Sequence, residues 1–175
     1  DFFREAGYRD GRPGGWDPVE RIKDMDLDET DAEGLYTTLG FRMFWMTDAA
    51  LQRATFQVYN DWLAEYCSHN PKRLVGLAMI SLWDIDEAVK ELKRCSQMGL
   101  KGAMVWCSPP QDRPYKSSMY DPFWAAAQDM NMPISFHAIT GMGPESLWDP
   151  SDRYVRFIVF PMEIQRTLTT LILSG

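Results

Sequence analysis

The chain has 175 residues, of which 45% are apolar and 25% charged, with a net charge of −7 and a pI near 4.8. That length supports one domain with a real core, and the acidic balance argues against a nucleic-acid partner, which needs a basic face. No apolar run is long enough to span a bilayer, and the first residues lack a signal-peptide pattern.

Cys67, Cys95 and Cys107 are odd in number and form no Cys-x-x-Cys pair. They give no zinc-knuckle signal and point to reduced thiols in a cytoplasmic protein. The chain opens at Asp1 without a methionine and stops at "TLILSG". Both ends look cut, so a piece of a longer protein is expected.

In chain order, "GYRDGRPGGWDPVERIKDMD" passes from a glycine-rich loop into a helix. Asp17 reads as its N-cap, Pro18 as its first residue, and Glu20 as the return half of a capping box. A short strand is expected over residues 32–37, ending in a turn at Gly40. The clearest helix follows, capped by Asp48, with Leu51, Ala54, Val58, Trp62 and Tyr66 at helical spacing. Pro71 forbids its continuation, and His69 suits the polarity of its C-terminus. "RLVGLAMISL" is a continuous apolar run of the kind buried on both faces of a parallel sheet.

The next helix opens with an Asp84–Glu87 capping box, buries Ile85, Ala88, Val89, Leu92 and Cys95, and stops at Gly99. Its "KELKR" run reads as a solvated face. "LKGAMVWC" is another strand, "DPFWAAAQDMNM" a helix with Asp121 as cap and Pro122 in the first turn, and "PISFH" a fourth strand. A long loop then leads to a closing amphipathic helix. Strands near residues 32, 74, 100 and 133 alternating with helices define an α/β chain with a parallel sheet. An open doubly wound sheet and a (β/α)8 TIM barrel both satisfy this. The absence of Gly-x-Gly-x-x-Gly removes support for dinucleotide binding and favours the barrel. About half of a barrel of ~250 residues is present.

In either architecture ligands meet the C-terminal ends of the strands. That rule selects Tyr36 and Thr37, Ile80 to Trp83, Trp106 to Ser108, and His137 to Gly141, with Glu145, Trp148 and Asp149 on a candidate lid. His137 stands where a ligand or acid/base would stand, and equally where a hydrogen-bonded structural histidine would. Trp106, Ser108 and Trp148 are the candidate pocket walls. Trp62 and Trp124 read as core. Cys107 and His137 at adjacent strand ends allow a nucleophile–base pair, although no third orienting residue stands out. One histidine cannot make a metal site, so further ligands would have to come from acids in this chain or from outside it.

The ordered stretches "YNDWLAEYCSHNPKRLVGLAMISLWDIDEAVKELKRCSQMGLKGAMVW" and "YDPFWAAAQDMNMPISFH", preceded by "GWDPVERIKDMDLDETDAEGLYTTLG", carry a resemblance. From about Gly15 to Gly141 the chain resembles the amidohydrolase-related family, in the branch holding aminocarboxymuconate-semialdehyde and γ-resorcylate decarboxylases. The resemblance implies a (β/α)8 barrel with one divalent metal ion, zinc or manganese. It implies a first-strand His-x-His or Glu-x-His pair, a histidine ending the fifth strand, a catalytic histidine after the sixth and an aspartate ending the eighth. His137 matches the fifth-strand ligand. The other ligands and the catalytic residue are expected outside residues 1–175, which would then span roughly the second strand to the fifth helix.

The implied activity is decarboxylation of an unsaturated or aromatic carboxylic acid. Hydrolysis of an amide, lactone or ring bond, and a truncated non-catalytic member, are the alternatives. A small-molecule carboxylic acid is the expected partner, with no nucleic acid or membrane, and a homo-oligomer is compatible. Because a half barrel leaves two parallel edges unpaired, the 175-residue piece alone is expected to be inactive, to bind metal poorly and to aggregate.

Overall fold

A computed structural model describes residues 11–142 and 153–174. Four strands, β1 (Glu33–Leu35), β2 (Leu74–Met79), β3 (Gly102–Trp106) and β4 (Ile134–His137), form one sheet in the order β1-β2-β3-β4. All three pairings are parallel, from Glu33 opposite Leu74 to Trp106 opposite His137. Helices α1 (Pro18–Leu27), α2 (Ala49–Ser68), α3 (Ile85–Gln97), α4 (Asp121–Asp129) and α5 (Arg153–Leu173) alternate with the strands. This is a parallel half-barrel with its helices outside. Among the described residues no helix is long and apolar enough to cross a membrane.

β3 reads as an apolar run because it is buried on both faces, all five of its residues being inaccessible; β2 is mostly buried, and the edge strands β1 and β4 are only partly so. Beneath and around the sheet lie Phe44, Phe56, Leu63, Leu82, Leu92, Phe123 and Tyr120. Asp17 caps α1 by accepting from Val19 N and Glu20 N, Asp48 caps α2 through Ala50 N and Leu51 N, and Asp84 caps α3 through Glu87 N. Gly99, at φ +96°, makes the left-handed exit from α3 that the glycine stop anticipates. His69 is the C-cap of α2.

Several local expectations are corrected. Glu20 does not return to the cap of α1 but pairs with Lys23, since a lysine one turn on offers a charged partner. Asp121 is not the N-cap of α4: a 3₁₀ turn (Ser118–Tyr120), itself capped by Ser117, runs straight into α4 and makes Asp121 the first helical residue. The turn at Gly40 is a seven-residue 3₁₀ segment, Leu39–Trp45.

The buried face of α2 is Gln52, Phe56, Asn60, Leu63, Tyr66 and Cys67. Leu51, Val58 and Trp62 are 55%, 71% and 42% exposed, so Trp62 is not core. Val58 and Trp62 border an apolar groove of about 530 Å³ with Met43 and Tyr59. Two buried amides shift the stripe. Asn60 exchanges hydrogen bonds with the backbone of Met79 (Nδ2 to O 3.0 Å, N to Oδ1 2.8 Å), and Gln52 engages a neighbouring loop. The "KELKR" run is likewise not all solvated: Glu91 is 5% exposed and accepts from Asn60 Nδ2 (2.9 Å) and Arg94 Nη2 (2.8 Å).

Candidate metal and substrate site

Side chains alternate along a strand, so Ser135 and His137 share one face of β4. From the opposite edge of the sheet, Tyr36 Oη lies 2.8 Å from Ser135 Oγ. Phe41, on the 3₁₀ segment after β1, stacks on the His137 ring with centroids 3.9 Å apart and planes at 20°. These contacts identify the concave face of the half-barrel and place His137 at its strand-end mouth.

His137 is held on several sides. Thr140 Oγ1, wholly buried, accepts from Cys107 N (2.7 Å) and lies 2.8 Å from His137 O and 3.1 Å from Val105 O. It thereby extends the β3–β4 pairing by one step and fixes the backbone at the imidazole. His137 Nδ1 accepts from Ile139 N over 3.4 Å, near the long limit of a hydrogen bond. Nε2 has no hydrogen bond among the described residues. Burial holds the pKa of His137 below its ordinary 6.5, which favours the neutral imidazole that metal ligation requires.

Trp106 does not line an open pocket. It is 1% exposed, meets Trp83 edge-on at 4.9 Å, and donates from Nε1 to Phe44 O at 3.0 Å. Ser108 does face a cavity, of about 200 Å³, shared with Pro109, Pro110, Tyr115 and Arg166. Its Oγ donates to Glu163 Oε1. Trp148, with Glu145 and Asp149 of the candidate lid, lies outside the described residues.

Cys107 is no nucleophile here. It is fully buried, its thiol is pushed up to about 12 by desolvation, and its neighbouring N–H and C=O are taken by Thr140 and Thr167. A thiol without thiolate character does not attack. Phe41, Gln52 and Glu163 escaped the reading of the sequence. The available signal was Gln52 itself, a polar residue one turn before Phe56 on the buried face of a helix.

Among the described residues no three His, Cys, Asp or Glu side chains converge as a metal cluster. His137 fits a metal as one neutral, half-buried imidazole; with Nδ1 accepting, its proton sits on Nε2, and ligation through Nε2 moves that proton to Nδ1 and gives up only the 3.4 Å contact to Ile139 N. A complete first shell needs further ligands.

A parallel half-barrel with an imidazole at a strand end is part of a (β/α)8-type scaffold. The chain belongs to the amidohydrolase family, whose pattern matches residues 4–173. It is 34% identical over 106 residues to 2-amino-3-carboxymuconate-6-semialdehyde decarboxylase of Dictyostelium discoideum, across 59% of this chain and 28% of that protein. It is 36% identical over 89 residues to γ-resorcylate decarboxylase of Rhodococcus jostii, across 45% of this chain and 26% of that one.

Among solved structures, 2,6-dihydroxybenzoate decarboxylase from Rhizobium superposes with a TM-score of 0.71 at 25% identity, over 89% of this chain and 50% of that one. The manganese-bound 5-carboxyvanillate decarboxylase of Novosphingobium aromaticivorans gives 0.72 at 26%, over 87% and 44%. The chain therefore spans about half the length of these solved relatives, and the matched stretches cover under a third of the curated ones.

Proposed function

We propose that the full-length protein is a metal-dependent carboxy-lyase acting on an aromatic or unsaturated carboxylic acid, with His137 as one ligand of a single divalent ion. The observation that carries it is the stacked, half-buried imidazole at the end of β4, neutral and with one nitrogen unengaged. The decarboxylases that the chain resembles act on aromatic or muconate-type acids, and a solved one holds manganese. Zinc suits an imidazole donor, manganese is the ion held by a solved relative, and a cytoplasmic setting agrees with three free, buried thiols. A homo-oligomer is compatible with the exposed apolar stripe of Leu51, Val58 and Trp62.

A bound divalent ion would act as a Lewis acid, drawing charge from an oxygen of the substrate. The residues of this chain do the rest. His137 supplies a neutral donor. Phe41 covers one face of that donor and keeps water from it. The Tyr36–Ser135 pair offers two hydroxyls on the same concave face, able to orient a polar group of the acid. Ser108 and its cavity lie one strand away, reached through Thr140. Trp148 remains a proposed pocket wall.

The test is metal content of the full-length protein with and without His137→Ala, together with carbon dioxide release from a panel of aromatic acids. About one divalent ion per chain, lost in the variant, and CO2 release that the variant lacks are the expected results. Hydrolysed amides or lactones without CO2 would make it a hydrolase. Equal metal in both proteins would return His137 to a structural role, and no metal in either would mark a non-catalytic member.

A further inference from the structure

A metal-ligating histidine must hold one ring orientation, and the common device is a firm hydrogen bond from its second nitrogen to a carboxylate or carbonyl. His137 has none among the described residues: its Nδ1 meets only Ile139 N at 3.4 Å. The ring is restrained by packing instead. Phe41, 8% exposed, lies nearly parallel on it at 3.9 Å, and Tyr36 stands tilted at 6.1 Å. Turning about Cβ–Cγ out of this plane would drive the imidazole into the Phe41 face.

Such a clamp works only if Phe41 itself is fixed, and the 3₁₀ segment that carries it is unusually well tied. Gln52 Nε2, wholly buried, lies 3.1 Å from Met43 O, 3.1 Å from Phe44 O and 3.2 Å from Met46 O. Trp106 Nε1 donates to Phe44 O (3.0 Å) and Trp83 Nε1 to Met46 O (3.1 Å). Ser81 Oγ donates to Gln52 Oε1 at 2.6 Å and fixes which way the amide faces. At the other end Gly40 N donates to Thr37 Oγ1 at 3.0 Å.

We propose that Phe41 is a positioning residue for the metal site: it holds the plane of the His137 imidazole, and Gln52 anchors the segment that carries it. This rests on the reading of His137 as a ligand. A stack fixes the plane of the ring and not which nitrogen leads, so it is compatible with ligation through either one.

The experiment is titration of metal-free full-length protein with Mn²⁺, free ion being read by electron paramagnetic resonance, with thermal unfolding of each apo protein alongside. Phe41→Leu keeps bulk but loses the flat face; Phe41→Tyr keeps the face. Phe41→Leu is expected to weaken Mn²⁺ binding about 10- to 100-fold, the range for residues that orient a ligand, while Phe41→Tyr binds as wild type. Gln52→Met is expected to weaken binding too, and Phe41→Leu/Gln52→Met no more than the worse single variant, because both act through one segment.

A purely structural role would lower the unfolding temperature and leave the affinity unchanged, which overturns the proposal. If His137→Ala removes binding and Phe41→Leu does not weaken it, the clamp fails and the ligand stands. If His137→Ala binds as wild type, the ligand reading fails and the clamp falls with it.

Discussion

Tyr36 and Ser135 are 99 residues apart in sequence and their strands stand at opposite edges of a four-stranded sheet, yet their hydroxyl oxygens are 2.8 Å apart. In a flat sheet three strand spacings would separate those edges by about 14 Å. The sheet must therefore be curled until one rim faces the other, as closure into a barrel requires. Tyr36 is 45% exposed, so the bond competes with water. Removing it by Tyr36→Phe should cost the full-length protein about 0.5 kcal/mol, at the low end for a hydrogen bond. Urea denaturation checks this; a loss above about 2 kcal/mol would mean that the pair holds the curl rather than following from it.

Glu91 makes the fold acid-sensitive. Burial raises its pKa, but hydrogen bonds from Arg94 and Asn60 together outweigh that, and the net value lies below the ordinary 4.5. A depressed carboxylate contributes stability that is fully present above its unfolded pKa and is lost as pH falls through the folded one. Unfolding temperature should therefore fall steeply below about pH 4.5 in the wild type. Glu91→Gln should be less stable at pH 7 by about 1–3 kcal/mol and show a shallower acid limb. Equal slopes would remove Glu91 from the account.

Gly141 sits where any side chain would collide. A methyl group there would lie 2.8 Å from Ser108 Oγ and closer still to Glu163 Oε1. Gly141→Ala should break the Ser108–Glu163 bond and loosen α5 from the β3 end, at about 1–3 kcal/mol for overpacking. Shortening the acid by Glu163→Ala in the same chain should restore part of that loss. A double-mutant cycle with no coupling would contradict this reading.

The three thiols should be inert in the native protein. Burial pushes Cys67 up to about 11 and Cys107 up to about 12, and Cys95 is raised by burial and by Glu91 beside it. At pH 8 a disulfide reagent should find no reactive thiol among them until denaturant is added. A single fast-reacting equivalent that Cys107→Ala removes would revive the nucleophile reading.

The fold was legible wherever pattern follows from period or composition. The apolar runs around Leu77 and Val105 announced buried parallel strands, and Asp48 and Asp84 announced helix starts that their hydrogen bonds bear out. Apolar spacing misled on α2. Leu51, Val58 and Trp62 fall on one stripe, but Gln52 and Asn60 carry hydrogen bonds that only a buried position satisfies, and those bonds set the helix's rotation. A hydropathy pattern ranks an amide as polar and has no way to see its partner.

The site divided along the same line. His137 at a strand end followed from topology. Phe41 did not, because the contact that matters spans the curl of the sheet, and nothing local to "LGFRMFW" encodes an imidazole from the far rim. Trp106 was placed correctly along the strand and given the wrong environment, since the segment that buries it folds back over it.

Strand order along the sheet is the same as strand order along the chain. Each of β2, β3 and β4, as it leaves the ribosome, finds a partner already made, and none has to wait for a later one to be inserted between. Synthesis at ~5–20 residues per second puts about 5–20 s between the emergence of Tyr36 and that of Ser135. Among the four strands described, the rim-to-rim contacts are thus the last to form, and a nascent chain halted before residue 134 would present Phe41 and Tyr36 as a bare aromatic surface, a handle for chaperones that vanishes once β4 arrives.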